Sequence, residues 1–259
     1  MLEKIAQTRH LSRAIGAVNR LVSERGESNA VSMAADVIFN YRKLNAEQRS
    51  KFFMALAEQF NINVEALTKA TQSFSADPSA RNYIRLQKIS ESPRQELLRR
   101  LNRAPGGTAA VVEMRRDLLS LLHKKPELAG LDYDMRHLLS SWFNPGFLKM
   151  HRVDWKSPAE VLEKIIAHEA VHAIDGWDDL RRRLQPDRRC FAFFHPQLPD
   201  EPLIFVEVAL LPEIPVAIMP LVDKKSAPVE QTNQYKVAAF YSISNCESGL
   251  RGVSMGNFL

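Results

Sequence analysis

A change of hydrophobic period near Pro145 divides this sequence and limits what it can become. Before it, apolar residues recur at helical spacing. Leu2, Ile5, Leu11, Ile15, Val18 and Val22 mark a first helix that Gly26 ends. A second is expected over Ala30–Tyr41. Asn45 can cap a third that runs through Phe52, Phe53, Leu56 and Phe60. Val64, Leu67 and Ala70 give a short fourth. Asp77-Pro78 opens a fifth, with proline at the first helical position. Glu91–Asn102, Thr108–His123 and Asp132–Phe143 complete the run, with Pro105-Gly106-Gly107 as a break. Short connections between amphipathic helices imply antiparallel packing in a bundle.

After Pro145 strands enter. Phe147–Val153 alternates like a strand. Ser157-Pro158-Ala159-Glu160 reads as a helix start, with serine as cap, proline in the first turn and glutamate closing a capping box. That helix turns Val161, Leu162, Ile165 and Ile166 inward. A short helix over Trp177–Leu184 follows, then strands over Arg189–Phe194 and Leu203–Leu211. Pro212–Pro228 is a proline-rich loop with at most one turn of helix. Val237–Ile243 is β-branched, small and aromatic, which suits a sheet interior. Asn245–Gly249 is turn material, and Phe258 and Leu259 start another apolar helical face. The expected domains are therefore residues 1–145, helical, and 146–259, mixed.

At 259 residues, with 45% hydrophobic and 25% charged residues, the composition is that of a globular protein. No run of 18 apolar residues marks a transmembrane helix, and MLEKIAQTRHLSRAIG lacks the apolar core of a signal peptide. Cys190 and Cys246 are too few for a disulfide framework, so a cytoplasmic setting is expected. The formal charge of +5 permits anions as ligands. No zinc finger, helix-turn-helix or basic-aromatic signature points to nucleic acid.

Three patterns invite chemistry, each with a plainer alternative. His168-Glu169-Ala170-Val171-His172 on one helix would set two imidazoles on one face for zinc, with the glutamate activating water. No third ligand is evident; Glu201 and Glu207 are weak offers. The plainer reading, two partly buried histidines hydrogen-bonded beside the sheet, is preferred. Arg181-Arg182-Arg183, with Arg188 and Arg189, could neutralise phosphates. A solvated helix face with Asp178, Asp179 and Asp187 as partners is favoured. Ser242 and Ser244 lack a nucleophile elbow around them. Cys246 has no identifiable base. Finally, Gly249, Gly252 and Gly256 lie between a strand and a helix start, beside Arg251. Free amides and a helix dipole there would cradle a phosphate. Spacing alone leaves that and simple turns equally open.

Several long stretches together resemble the bacterial branch of the malonyl-CoA decarboxylase family. They are LVSERGESNAVSMAADVI, RQELLRRLNRAPGGTAAVVEMR, RHLLSSWFNPGFL, SPAEVLEKIIAHEAVHAIDGWDDLRRRL, DRRCFAFFHPQLPDEPLIFVEVAL and FYSISNCESGLRGVSMGNFL. The resemblance covers Leu21 to Leu259. It implies a helical domain used in homo-oligomerisation, then an acetyltransferase-like (GNAT) fold, giving a fold class of α plus α/β. It implies decarboxylation of malonyl-CoA to acetyl-CoA and CO2, with no cofactor and neither a membrane nor a nucleic acid as partner. It places malonyl-CoA on Arg251, Gly252, Val253, Ser254, Met255, Gly256 and Asn257. Generic acetyltransferases have glycine where Ser254 stands, a departure shared with the decarboxylases. The pentapeptide from His168 to His172 belongs to the family pattern without being a zinc site. The family's catalytic serine, in Ser-Pro-x-Pro-Gly-Phe, and histidine, in Asn-Phe-His, have no match in these 259 residues. The resemblance therefore implies a truncated, inactive member. A helical scaffold with residual CoA binding and a zinc hydrolase built on His168 and His172 are the alternatives.

Overall fold

The computed structural model describes residues 2–24, 26–226, 228 and 232–254. It divides into two compact units, Met1–Ser141 and Trp142–Leu259.

The first unit is helical: α1 (Leu2–Ser23), α2 (Glu27–Arg42), α3 (Ala46–Gln59), α4 (Val64–Ala76), α5 (Ala80–Ser90), α6 (Pro93–Asn102), α7 (Gly107–Leu119) and α8 (Ala129–Trp142). The helix starts carry their own chemistry. Asn45 Oδ1 accepts from the Gln48 amide, and Gln48 Oε1 accepts from the Asn45 amide, each at 2.9 Å. Pro78 lies outside α5, contrary to expectation. The Ser79 hydroxyl caps that helix by accepting from the Asn82 amide. Gly107 is required where α7 starts, because a Cβ there would stand 1.9 Å from the Leu101 carbonyl oxygen. α7 ends at Leu119, short of His123, where a tight turn takes over.

Phe52, Phe53, Tyr41, Leu97, Leu101, Met114 and Leu138 form part of the buried apolar interior. Charge is buried with them. Asp134 accepts from Ser92 Oγ at 2.8 Å, Arg94 Nε at 2.8 Å and Gln95 Nε2 at 2.9 Å. This explains why Ser92, at the start of α6, makes no side-chain cap: its proton goes to Asp134. Arg100 donates to the carbonyls of Leu21 and Glu24, at the end of α1.

The second unit is an antiparallel sheet in the order β1 (Lys149–Val153), β2 (Arg188–Phe194), β3 (Ile204–Leu211), β4 (Val237–Asn245). Between β1 and β2 lie α9 (Ala159–His168) and α10 (Gly176–Arg183); α11 (Met219–Val222) interrupts the proline-rich loop. All three described strand pairings are antiparallel, so helices and sheet together make a mixed α+β chain. The expected capping box at α9 does not form. Pro158 caps the helix without a side-chain bond, while the Ser157 hydroxyl accepts from the Asp154 amide at 3.1 Å. The hydroxyl thereby closes the turn leading into α9.

Alternation places Cys190, Ala192 and Phe194 of β2 on one face, with Phe205 and Glu207 of β3 and Ser242 and Ser244 of β4. Val161, Leu162, Ile165, Ile174, Leu180 and Leu184 pack onto that face as the unit's core. A bulge opposite Glu207 and Val208 makes Tyr241 the extra residue of β4. Phe240 and Ile243 remain exposed, so β4 is not the buried interior strand its composition implied.

Candidate functional site

β4 leads into the turn that the sequence singles out. Its amides are largely used internally. Those of Gly249, Leu250, Arg251 and Val253 donate to Glu247 Oε1, Glu247 O, Ser248 O and Leu250 O. The amides of Gly252 and Ser254 make no hydrogen bond to another described residue. Gly252 has φ +78°, a left-handed conformation that glycine adopts without the steric cost borne by other residues. Arg251 is exposed and Val253 buried. Met255, Gly256 and Asn257, and the helix expected after them, lie outside the described residues.

The turn borders a cavity of about 380 Å3, lined by Cys246, Glu247, Arg251, Gly252 and Val253 and, from the end of α9, by His168. That is within the size range of ligand cavities, roughly 300–1,000 Å3. Burial, with help from Glu247, pushes the Cys246 thiol up to about 12. The thiol is protonated at neutral pH and is a poor nucleophile. A larger groove of about 890 Å3 belongs to the helical unit, where Arg9, Arg13, Arg20 and Phe39 border it.

α9 stops at His168, so His168 and His172 are not successive turns of one helix. This removes the geometry on which the zinc reading depended. Among the described residues no group of three His, Cys, Asp or Glu side chains is placed to hold a metal ion. Nor are the two histidines the hydrogen-bonded pair of the plainer reading. His168 is exposed, and neither ring makes a hydrogen bond to a described residue.

The motif's buried member is Glu169. Its carboxylate accepts from Ser242 Oγ, from Ser244 Oγ at 3.1 Å, and from the amides of Val171 and His172 at 2.9 and 2.8 Å. The Ala170 amide donates to Ser244 Oγ at 3.1 Å. Thus α9's end is tied to the strand that precedes the turn.

The arginine run also differs from its expected role. Arg182, Arg183 and Arg188 are buried, not solvated. Arg182 forks onto Asp187 at 2.8 and 3.0 Å, and Arg188 reaches the same carboxylate at 2.7 Å. Arg183 bonds Asp179 at 3.2 Å, Glu207 at 2.7 Å and the His172 carbonyl at 2.8 Å. Only Arg181 and Arg189 retain surface, Arg181 against the exposed Trp155 ring. Asp178, Asp179 and Asp187 were the right partners to expect, but two of the three act in the interior. Burial raises the Glu207 carboxyl to about 7 against the opposing pull of Arg183. The one signal for this network was Glu207 itself, a carboxylate inside the apolar strand IFVEVALL.

Fold and turn define a two-unit α+β protein with a cavity beside the turn that follows β4. Two family profiles match it: the malonyl-CoA decarboxylase N-terminal domain over residues 60–143 and the malonyl-CoA decarboxylase C-terminal domain over 146–259. The mitochondrial malonyl-CoA decarboxylase of Anser anser anser is 35% identical over 257 residues, covering 91% of this chain and 50% of that protein. The Mus musculus enzyme is 34% identical over 251 residues, covering 91% and 51%. The crystal structure of malonyl-CoA decarboxylase from Rhodopseudomonas palustris superimposes with a TM-score of 0.88 at 49% identity, covering 96% of this chain and 61% of that one. The Agrobacterium vitis structure gives 0.87 and 47%, covering 93% and 59%. The chain belongs to the malonyl-CoA decarboxylase family. It spans about half the length of the curated relatives it matches.

Proposed function

We propose that this chain supplies the CoA-binding half of a malonyl-CoA decarboxylase, held in an acetyltransferase-like unit, with the helical unit mediating homo-oligomerisation. Family membership across both units carries this reading. Arg251, Gly252, Val253 and Ser254 would hold the pyrophosphate of malonyl-CoA or acetyl-CoA, together with Met255, Gly256 and Asn257. The cavity beside Arg251 and the unengaged Gly252 amide support that assignment. A free thiol at each of Cys190 and Cys246 accords with a cytoplasmic setting. Among the described residues no helix is long and apolar enough to cross a membrane.

The reaction breaks the bond between carbons 2 and 3 of the malonyl group. Its electron pair passes into a thioester enolate, CO2 leaves, and a proton is delivered to carbon 2. An enzyme must stabilise that oxyanion and supply that proton. Two hydroxyls of the strand before the turn are engaged: Ser242 and Ser244 are bound to Glu169. Neither is therefore expected to supply that proton. Titration calorimetry of the 259-residue protein with malonyl-CoA tests the CoA reading: saturable binding is expected, and no measurable binding would overturn it.

Oligomerisation has its own support. α4 and α5 bury only Ala70 between them and leave Val64, Tyr83 and Ile84 exposed.

A further inference from the structure

We infer that His168 is a second phosphate-binding side chain of this cavity, acting with Arg251 on the pyrophosphate of CoA. The inference rests on the CoA reading above and adds a residue from a different element. Three observations carry it. First, His168 lines the same cavity as Arg251 and Gly252. Second, its imidazole makes no hydrogen bond, ion pair or ring contact with any described residue, so its donor is uncommitted. Third, its backbone is held at the cavity. The next residue, Glu169, is buried and bonded to Ser242 and Ser244, which immediately precede the turn on β4. The backbone that carries His168 is thus tied to the strand that delivers the others.

The charges of the cavity show why a second donor is needed. Arg251 is its one guanidinium, and the Glu247 carboxylate lines it too, spent on the Gly249 amide. The two formal charges offset each other, and the Cys246 thiol adds none at neutral pH. α9 also ends here, and a helix C-terminus carries partial negative charge. An imidazole donor at that end turns a face unfavourable to anions into one that can share a diphosphate with Arg251.

The test is calorimetric titration of the 259-residue protein and of His168→Ala and His168→Gln with CoA and with 3′-dephospho-CoA. His168 is exposed, so both variants are expected to fold, and thermal unfolding checks this. His168→Ala should weaken both ligands about tenfold, the usual scale for a hydrogen bond to a charged group. His168→Gln, which keeps a donor, should recover most of that loss. Unchanged affinity in His168→Ala, with the wild type binding, would overturn the assignment alone. A loss seen with CoA but not with 3′-dephospho-CoA would move the contact to the 3′-phosphate and also overturn it. A wild type without measurable affinity for CoA would overturn the CoA reading and this inference with it.

Discussion

The hydroxyl of Ser242 lies 2.7 and 2.8 Å from the two carboxylate oxygens of Glu169, and both residues are buried. This contact joins the end of α9 to the last described strand. The Glu169 carboxylate takes two hydroxyls and two amides, so its loss would leave several buried donors unpaired. Glu169→Ala should destabilise the protein by about 3–5 kcal/mol. Glu169→Gln, which retains one acceptor oxygen, should cost less. Urea unfolding of the two variants checks the order; equal stability to the wild type would mean the contact is not formed.

Glu207 sets a pH dependence whose sign follows from its environment. Burial raises its folded carboxyl from 4.5 to about 7. Between those values the folded state holds more proton than the unfolded state. This contribution is full below 4.5, falls as pH rises through the window and is lost above about 7. Glu207→Gln should flatten the unfolding free energy between pH 4.5 and 7, removing a slope worth about 3 kcal/mol at most across it. Unfolding curves at closely spaced pH values decide the matter, and an unaltered slope would exclude Glu207 as its source.

The exposed side of α4 and α5 should be an interface between copies. Tyr83 and Ile84 are 51% and 53% exposed, and neither reaches the buried interior. Tyr83→Asp together with Ile84→Asp should reduce the mass seen by light scattering to that of the monomer while leaving the helical signal unchanged. A wild type that is monomeric across the accessible concentration range would contradict the proposal.

Much of the framework was legible because it rests on local rules. Asn45 and Gln48 form the cap that their spacing allows, and the strand expected over Arg189–Phe194 forms as Arg188–Phe194. Long-range pairing was not legible. Nothing near Arg183 in sequence identifies Glu207, 24 residues away, as its partner, so a basic run looked like a solvated face. Likewise the helical reading of His168 to His172 failed where α9 ends at His168 and Glu169 bonds to Ser242 and Ser244, 73 and 75 residues away in sequence. At the candidate site, sequence located the turn and the cation Arg251. It could not show that Glu247 and the turn's own carbonyls would take four of the amides, or that His168 would line the same cavity.

Gly252 offers a separate check on the turn. At φ +78° a Cβ is strained, so Gly252→Ala should cost about 1 kcal/mol in stability and weaken CoA binding through the displaced amide. Unchanged melting temperature and affinity together would show that the left-handed geometry is not needed.

The most direct measurement is the CoA affinity of the wild-type protein against that of Arg251→Glu, by titration calorimetry at low and moderate salt. Arg251 is exposed, so the substitution should leave folding intact. The account predicts saturable binding by the wild type, at least tenfold weaker in Arg251→Glu, with a larger difference at low salt. Equal affinity in the two proteins would contradict the placement of CoA at the end of β4.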